Sequence, residues 1–178
     1  MNHAIRSTLV VGAAIGVALS SVPAEPSASH VKSMVGSEQA CSLVTTPEIE
    51  RIIGKPLEGK PYAYDFPGGD GSTCTYQGGQ IQIVVFSGAG SGQKYDSYLA
   101  NSLKKAARTG APDLKKYRVS GIGRSAYYTF PKPQVGILVV DVGRHTVGVS
   151  MVTSFGVSGE TLKPKLLSLA KAAIAKLS

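Results

Sequence analysis

The sequence predicts an α+β domain in which a mainly antiparallel sheet of about five strands carries helices on one face. Alternating apolar residues mark strands that are joined by short glycine turns, as in hairpins. Amphipathic segments stand before, between and after these strands, which gives the element order α-β-β-α-β-β-β-α. The chain also holds only two cysteines, Cys41 and Cys74, which can tie the first helix to the sheet.

The first predicted helix lies between the two cysteines. If Thr45 is its N-cap, Glu48 completes a capping box. If Thr46 is the N-cap, Pro47 takes the first helical position, where its missing N–H costs nothing. Gly54 suits the left-handed residue that commonly follows a helix. A helix this short needs sheet packing and the disulfide to persist in water.

The first hairpin follows a segment rich in proline and glycine. Residues 55–71 are expected to form a loop that can include one short edge strand. Residues 72–77 and 80–86 are predicted strands, and Gly78-Gly79 is predicted to be a two-residue turn between them. The second strand has an apolar face and a half-polar face, made respectively by Ile81, Ile83 and Val85 and by Gln80, Gln82 and Val84.

The second half of the chain predicts another helix and three strands. Gln93–Arg108 carries an apolar stripe at helical spacing. Lys116–Phe130 is predicted to be one extended segment with a bend or bulge at Gly121-Ile122-Gly123. Val135–Val142 and Thr146–Thr153 have the strongest strand patterns and are separated by a short turn.

The last strand is predicted to present a face of small residues, because Gly148 and Ser150 alternate with larger apolar side chains. A helix can lie closely on such a face. The third helix is expected to begin near Ser158 or at Thr161. Pro164 is tolerated only in a first turn, which favours Thr161 as the cap.

Residues 1–24 have the pattern of a secretory signal peptide. Arg6 precedes an apolar run over residues 9–19, and small residues before position 25 suit a cleavage site. A retained membrane anchor is the alternative, but an eleven-residue helix would span only about half of a ~30 Å hydrocarbon core. The expected location is therefore outside the cytoplasm: secreted, periplasmic or in the cell envelope.

The remainder of the chain is predicted to be one domain. Residues 25–39 lack periodicity and are expected to be a flexible lead-in. Residues 40–178 are long enough to bury a core. Within this domain, two cysteines after an export signal predict a structural disulfide, Cys41–Cys74. Their spacing matches neither a redox C-x-x-C pair nor a zinc pair, and the closed loop should stabilise the fold by about 3–4 kcal/mol.

The chain is basic, with a formal net charge of +8. Positive charge is concentrated in one stretch, which we call the basic strip: Lys104, Lys105, Arg108, Lys115, Lys116, Arg118 and Arg124. Tyrosines are interleaved with these residues, and basic and aromatic groups together can bind polyanions. The expected partners are an anionic envelope polymer, a lipid surface or an acidic protein, and the alternative is a solvated helix end and loop.

The sequence contains no convincing catalytic, cofactor or metal motif. Residues 88–95 resemble a phosphate loop but lack its lysine and hydroxyl at the required positions, and residues 121–125 match no dinucleotide fingerprint. His145 lies at a predicted turn without a local signature of a serine triad. Asp65 and Asp70 lack the spacing of a calcium loop. We therefore predict no cofactor and no metal.

The residues around the cysteines also carry a family resemblance. The segment Cys41-Ser42-Leu43-Val44-Thr45-Thr46-Pro47-Glu48, with Gly54 and Cys74-Thr75-Tyr76, resembles small secreted proteins and lipoproteins of bacteria that belong to families of unknown function. The resemblance implies an N-terminal helix that is tied by a disulfide to an antiparallel sheet outside the cytoplasm. It implies no active site, and this chain lacks the cysteine that would be lipidated.

These observations predict an exported, non-catalytic binding or interaction protein. One alternative is a secreted hydrolase built on His145, or a hydrolase inhibitor that presents residues 60–71 as a projecting loop. Another alternative is a carrier of a small apolar ligand, which would need a cavity between the helices and the sheet.

Overall fold

The computed structural model describes residues 37–67, 69–106, 114–153 and 158–177. These residues all belong to one compact unit of the chain, Ser33–Ser178. The predicted signal peptide and most of the predicted lead-in lie outside the described residues.

The described residues form an α+β fold around a seven-stranded antiparallel sheet. Its spatial order is β1-β2-β3-β7-β6-β5-β4. The strands are β1 Tyr62–Asp65, β2 Gly71–Tyr76, β3 Ile81–Ser87, β4 Tyr117–Val119, β5 Ser125–Lys132, β6 Val135–Asp141 and β7 His145–Val152. The α+β class and the antiparallel sheet are confirmed, whereas the count of about five strands is too low.

Two differences account for the extra strands. β1 is the short edge strand, and it pairs with β2 along its whole length, so Tyr62–Asp65 belongs to the sheet and not to a projecting loop. The segment predicted as one extended strand is two strands, because Gly121 and Gly123 take positive φ angles of 78° and 60° and reverse the chain between β4 and β5.

Four α-helices and two short 3₁₀ turns complete the structure. The helices are α1 Ser37–Leu43, α2 Thr46–Ile53, α3 Ser91–Ala106 and α4 Lys163–Ile174, and the 3₁₀ turns are Gln77–Gly79 and Gly159–Leu162. Helix α1 was not predicted, and it begins inside the segment expected to be a flexible lead-in.

The expectation that the helices share one face of the sheet is wrong. α1, α2 and α4 pack on one face, where their core includes Ile83, Leu138 and Val149. α3 packs on the opposite face, over Val84 and Val139. Both faces need cover because the central strands are apolar at successive positions and not only at alternate ones. In β6, for example, five consecutive residues from position 136 to 140 are buried.

The turns also differ in detail from the predictions. The last residue pair of the first hairpin is Tyr76 with Ile81, so its connection has four residues and contains a 3₁₀ turn, not a two-residue turn. At the other end of the chain, the Ser158 hydroxyl accepts a hydrogen bond from the Glu160 N–H, 3.2 Å away, and caps the 3₁₀ turn. Helix α4 then begins at Lys163.

The disulfide joins Cys41 in α1 to Cys74 in β2. The predicted bond is therefore confirmed, but the helix that it holds is α1 and not α2. The chain between the two helices is also held to the sheet, because the Tyr76 hydroxyl donates to the Val44 carbonyl over 2.6 Å. Both links place α1 and α2 on the same side of β2.

Helix α2 begins at the capping box. Thr45 is the N-cap, and the Glu48 carboxylate accepts hydrogen bonds from the Thr45 N–H at 2.7 Å and the Thr45 hydroxyl at 2.9 Å. The Lys176 ammonium donates to the same carboxylate at 2.7 Å. The hydrogen bond from Lys176, followed by that from the Thr45 N–H, lowers the pKa of Glu48 from 4.5 to about 2. At the other end, Gly54 has the expected left-handed conformation, with φ 78°.

Acidification should therefore destabilise the protein through Glu48. Its pKa is lower in the folded state, so its contribution is complete above pH 4.5 and is lost as the pH falls from about 4.5 to about 2. We expect Glu48→Gln to lower the free energy of unfolding at pH 7 and to flatten its decline over this pH interval, measured by urea unfolding. Glu58→Gln makes the same charge change at an exposed position, and an unchanged acid slope in Glu48→Gln would refute the assignment.

The small-residue face of β7 is where α3 lies. Gly148 pairs with Val84 of β3 and Val139 of β6, so it is at the centre of the sheet. A Cβ atom at Gly148 would overlap the ring of Tyr95, a fully buried residue of α3. The expectation that a helix lies closely on this face is confirmed.

We predict that Gly148→Ala lowers the free energy of unfolding by about 1–3 kcal/mol, because the added methyl group has no space. Gly92→Ala is the control, since a Cβ there would be 3.8 Å from its nearest neighbour, the Thr146 hydroxyl. A double-mutant cycle of Gly148→Ala with Tyr95→Leu, followed by urea unfolding, should give a coupling energy above about 0.5 kcal/mol. Additive effects would show that the two residues are not in close contact.

Candidate ligand-binding site

A cavity of about 210 Å³ lies between α3 and the sheet. One side is formed by the face of α3 that carries Tyr95, Tyr98, Leu99, Ser102 and Leu103. The sheet contributes Gln82 and Val84 from β3, Ser150 and Val152 from β7, and Val135 and Ile137 from β6. Gly79, Pro131 and Lys132 complete the lining. We call this cavity the α3 groove.

The groove lies along β7 beyond the point where the Tyr95 ring fills the space over Gly148. Near the start of α3, the Thr146 hydroxyl donates to the Ser91 hydroxyl at 3.0 Å, and Gly148 allows the Tyr95 ring to touch the backbone. Two residues farther along β7, Ser150 stands directly between its register partners Gln82 and Ile137. A short side chain at this position leaves space below the helix.

An aromatic cluster holds α3 beside the groove. Phe66, which follows β1, has its ring 4.9 Å from Phe86 and 4.7 Å from Tyr98. Burial is the main cause that raises the pKa of Tyr98 to about 12, so its hydroxyl stays protonated and can donate a hydrogen bond at neutral pH. The sequence offers Phe66 only as part of a loop segment, and its contact with α3 depends on the pairing of β1 with β2.

The polar groups of the groove are few and differ in exposure. Gln82, Ser102 and Ser150 are half-buried, and Lys132 is exposed at the opening. Within the part of the chain that the structure describes, Lys132 forms no ion pair. An apolar cavity with a free cation at its opening can accept a ligand with an apolar body and an anionic end.

The basic strip is divided by the fold. Lys104 and Lys105 are exposed in the last turn of α3, whereas Lys115 is exposed just before β4 and Arg118 is exposed within it. Arg124 lies against Gly143, at the end of the sheet where α3 begins. Gly92 lies in the first turn of α3, and Lys104 follows it by twelve residues in the last turn. At the rise of an α-helix, these two ends of α3 are about 18 Å apart. Arg108 lies outside the described residues.

Lys116 is the member of the basic strip with a clear structural partner. Its ammonium is 2.8 Å from the Asp96 carboxylate and 4.3 Å from the centre of the Tyr127 ring. The Tyr127 hydroxyl donates to the same carboxylate at 2.5 Å. These contacts join α3 to the β4–β5 edge of the sheet, so the charge of Lys116 is already partnered within the protein.

His145 does have a serine neighbour. Its Nδ1 atom is 2.8 Å from the Ser87 hydroxyl, and both residues line a second cavity of about 470 Å³. Burial, and then the charge of Arg144, lower the pKa of His145, which favours the neutral form of the ring. Among the described residues no carboxylate is hydrogen-bonded to His145, so the pair lacks the third member of a serine triad.

The other acidic candidates have structural roles. Asp70 forms an ion pair with Lys94 at 2.9 Å, and Asp65 belongs to edge strand β1. Asp141 accepts a hydrogen bond from the Gly143 N–H at 2.7 Å. Over residues 37–67, 69–106, 114–153 and 158–177, no three histidine, cysteine or acidic residues are grouped in a way that could hold a metal ion.

The same residues include no helix that is both long enough and apolar enough to span a bilayer. Comparison of the chain with protein-family models, with curated proteins and with solved structures finds no match. The resemblance to secreted bacterial families of unknown function therefore stays a prediction, and the α3 groove and the cavity beside His145 are the two features on which a function can be argued.

Proposed function

We propose that this chain is an exported binding protein whose ligand is a small amphipathic anion held in the α3 groove. The observation that carries the proposal is the mainly apolar cavity between α3 and the sheet, lined by residues such as Leu99, Leu103 and Ile137. It is the kind of cavity that a carrier of a small apolar ligand requires.

The size of the groove limits the ligand. A cavity of about 150 Å³ is enough for benzene in a well-studied engineered protein, and drug-sized ligands need about 300–1,000 Å³. At about 210 Å³, the α3 groove accepts one ring or a short acyl chain. Burial of such a chain contributes about 0.8 kcal/mol for each CH₂ group that leaves water.

Lys132 selects the charge of the ligand. Its ammonium group is exposed at the opening and has no acidic partner among the described residues, so it can pair with a carboxylate. Gln82 and Ser150 supply hydrogen-bonding groups deeper in the groove. The apolar part of the ligand would lie against α3, with its charged end toward water.

Export is part of the proposal. The disulfide supports it, because such bonds persist in oxidising compartments. The signal-peptide pattern of residues 1–24 also supports it. We place the protein in the cell envelope or the secreted fraction. An anionic envelope polymer, a lipid surface or an acidic protein remains a proposed partner for the exposed basic residues.

Octanoate is a suitable probe of the groove. We expect it to shift the amide NMR signals of Gln82, Leu99 and Ser150 with a dissociation constant of about 1 mM or tighter. Ser150→Phe, which fills the groove, should weaken binding at least about tenfold. Ser97→Phe places the same side chain on an exposed position of α3 and should leave binding unchanged.

The contribution of charge can be separated from that of the cavity. Lys132→Gln should weaken octanoate binding about fivefold and leave the binding of octanol unchanged, because octanol lacks the carboxylate. Thermal unfolding of each variant checks that it is folded. If folded Ser150→Phe binds octanoate as well as the unmodified protein does, the α3 groove is not the binding site.

A further inference from the structure

We propose that the cavity beside the Ser87–His145 pair is a second, independent binding site, and that it takes a tetrahedral oxyanion such as phosphate or a phosphate monoester. It lies where β3 ends and β7 begins, near the start of α3, and is lined by Ser87, Gly88, Ala89, Gly143, Arg144 and His145. The inference does not depend on a ligand in the α3 groove.

Two arginines lie next to Gly143, one in sequence and one in space. Arg144 is exposed and lines the cavity. Arg124 packs on Gly143, so that a Cβ at that glycine would be 2.8 Å from its central guanidinium carbon. Neither arginine forms an ion pair with any described residue. Planar guanidinium groups match the oxygen atoms of phosphate better than ammonium groups do.

The Ser87–His145 pair supplies a further hydrogen-bond donor in either tautomer. If Nδ1 accepts from the Ser87 hydroxyl, the proton of the neutral ring is on Nε2, which can donate to a ligand. If Nδ1 donates to Ser87, the serine hydroxyl is free to donate instead. A protonated ring would offer both a donor and a positive charge.

The backbone of the cavity adds further donors. The Gly88 N–H is used, since it donates to the Arg144 carbonyl at 2.8 Å, and the Ser87 N–H donates to the Asp70 carbonyl at 2.9 Å. Ala89, which lines the cavity, and the next residue, Gly90, are exposed, and their N–H groups donate to no carbonyl among the described residues. These N–H groups can donate further hydrogen bonds to an anion that the arginines and His145 bind.

The charges near His145 favour an anion. The groups that face this end of the sheet are Arg144, Arg124, the Asp70–Lys94 ion pair and Asp141. Asp70 is neutralised by Lys94, and the Asp141 carboxylate accepts the Gly143 N–H. Counted by formal charge, these three cations and two carboxylates leave one positive charge in excess, which a bound oxyanion would neutralise and which otherwise disfavours a charged histidine.

The pKa of His145 reports on binding, and the chain has only two other histidines, His3 and His30. We expect inorganic phosphate to raise the pKa of His145 by about one pH unit relative to sodium chloride of equal ionic strength. The pKa is measured by titration of the ring C–H NMR signals. Glycerol 3-phosphate is the second probe. If glycerol 3-phosphate raises the pKa of His145 at lower concentrations than inorganic phosphate does, the site is assigned to a phosphate ester. If the two probes act at equal concentrations, the site recognises the phosphate group alone.

Arg144→Gln should abolish this rise and leave the fold intact, because the side chain is exposed. Arg118→Gln is the matched control, since it removes an exposed arginine from β4. The proposal is overturned if neither anion raises the pKa beyond the chloride value. It is equally overturned if Arg118→Gln reduces the rise as much as Arg144→Gln does, because the response would then be a general effect of net charge.

Discussion

The close contact between Gly148 and the Tyr95 ring determines how the second face of the sheet is covered. The central strands are apolar on both faces, and each face must be removed from water. The disulfide, α1, α2 and α4 cover one face, and α3 is the helix that covers the other among the described residues. The Tyr95 ring of α3 fills the space over Gly148, and the α3 groove opens farther along β7, at Ser150.

Local signals in the sequence predicted local structure well. The capping box at Thr45, the left-handed Gly54 and the hairpin of β6 and β7 need only neighbouring residues, and all are present. Helix α1 was missed because seven residues do not show a clear period, and the disulfide at Cys41 holds it to the sheet. The prediction that all the helices lie on one face of the sheet was wrong, because consecutive apolar residues in the central strands were interpreted as alternating ones.

The candidate sites could not be predicted in the same way, because they depend on contacts between distant segments. The α3 groove combines side chains from α3 and from β3, β6 and β7, and the short side chain of Ser150 was its only signal in the sequence. The basic strip is continuous in sequence, but the reversal at Gly121 and Gly123 places Arg124 beside Gly143. His145 seemed to be an isolated turn residue until strand pairing set it opposite Ser87.

The account is tested most directly by locating a bound ligand relative to α3. An isotope-filtered NOE spectrum of ¹³C-labelled protein with unlabelled octanoate would identify the methyl groups that the acyl chain touches. The account predicts NOEs to Leu99, Leu103 and Ile137, which line the groove on the α3 face. NOEs confined to Ile53 and Met151, which line a cavity of about 230 Å³ on the opposite face, would contradict it.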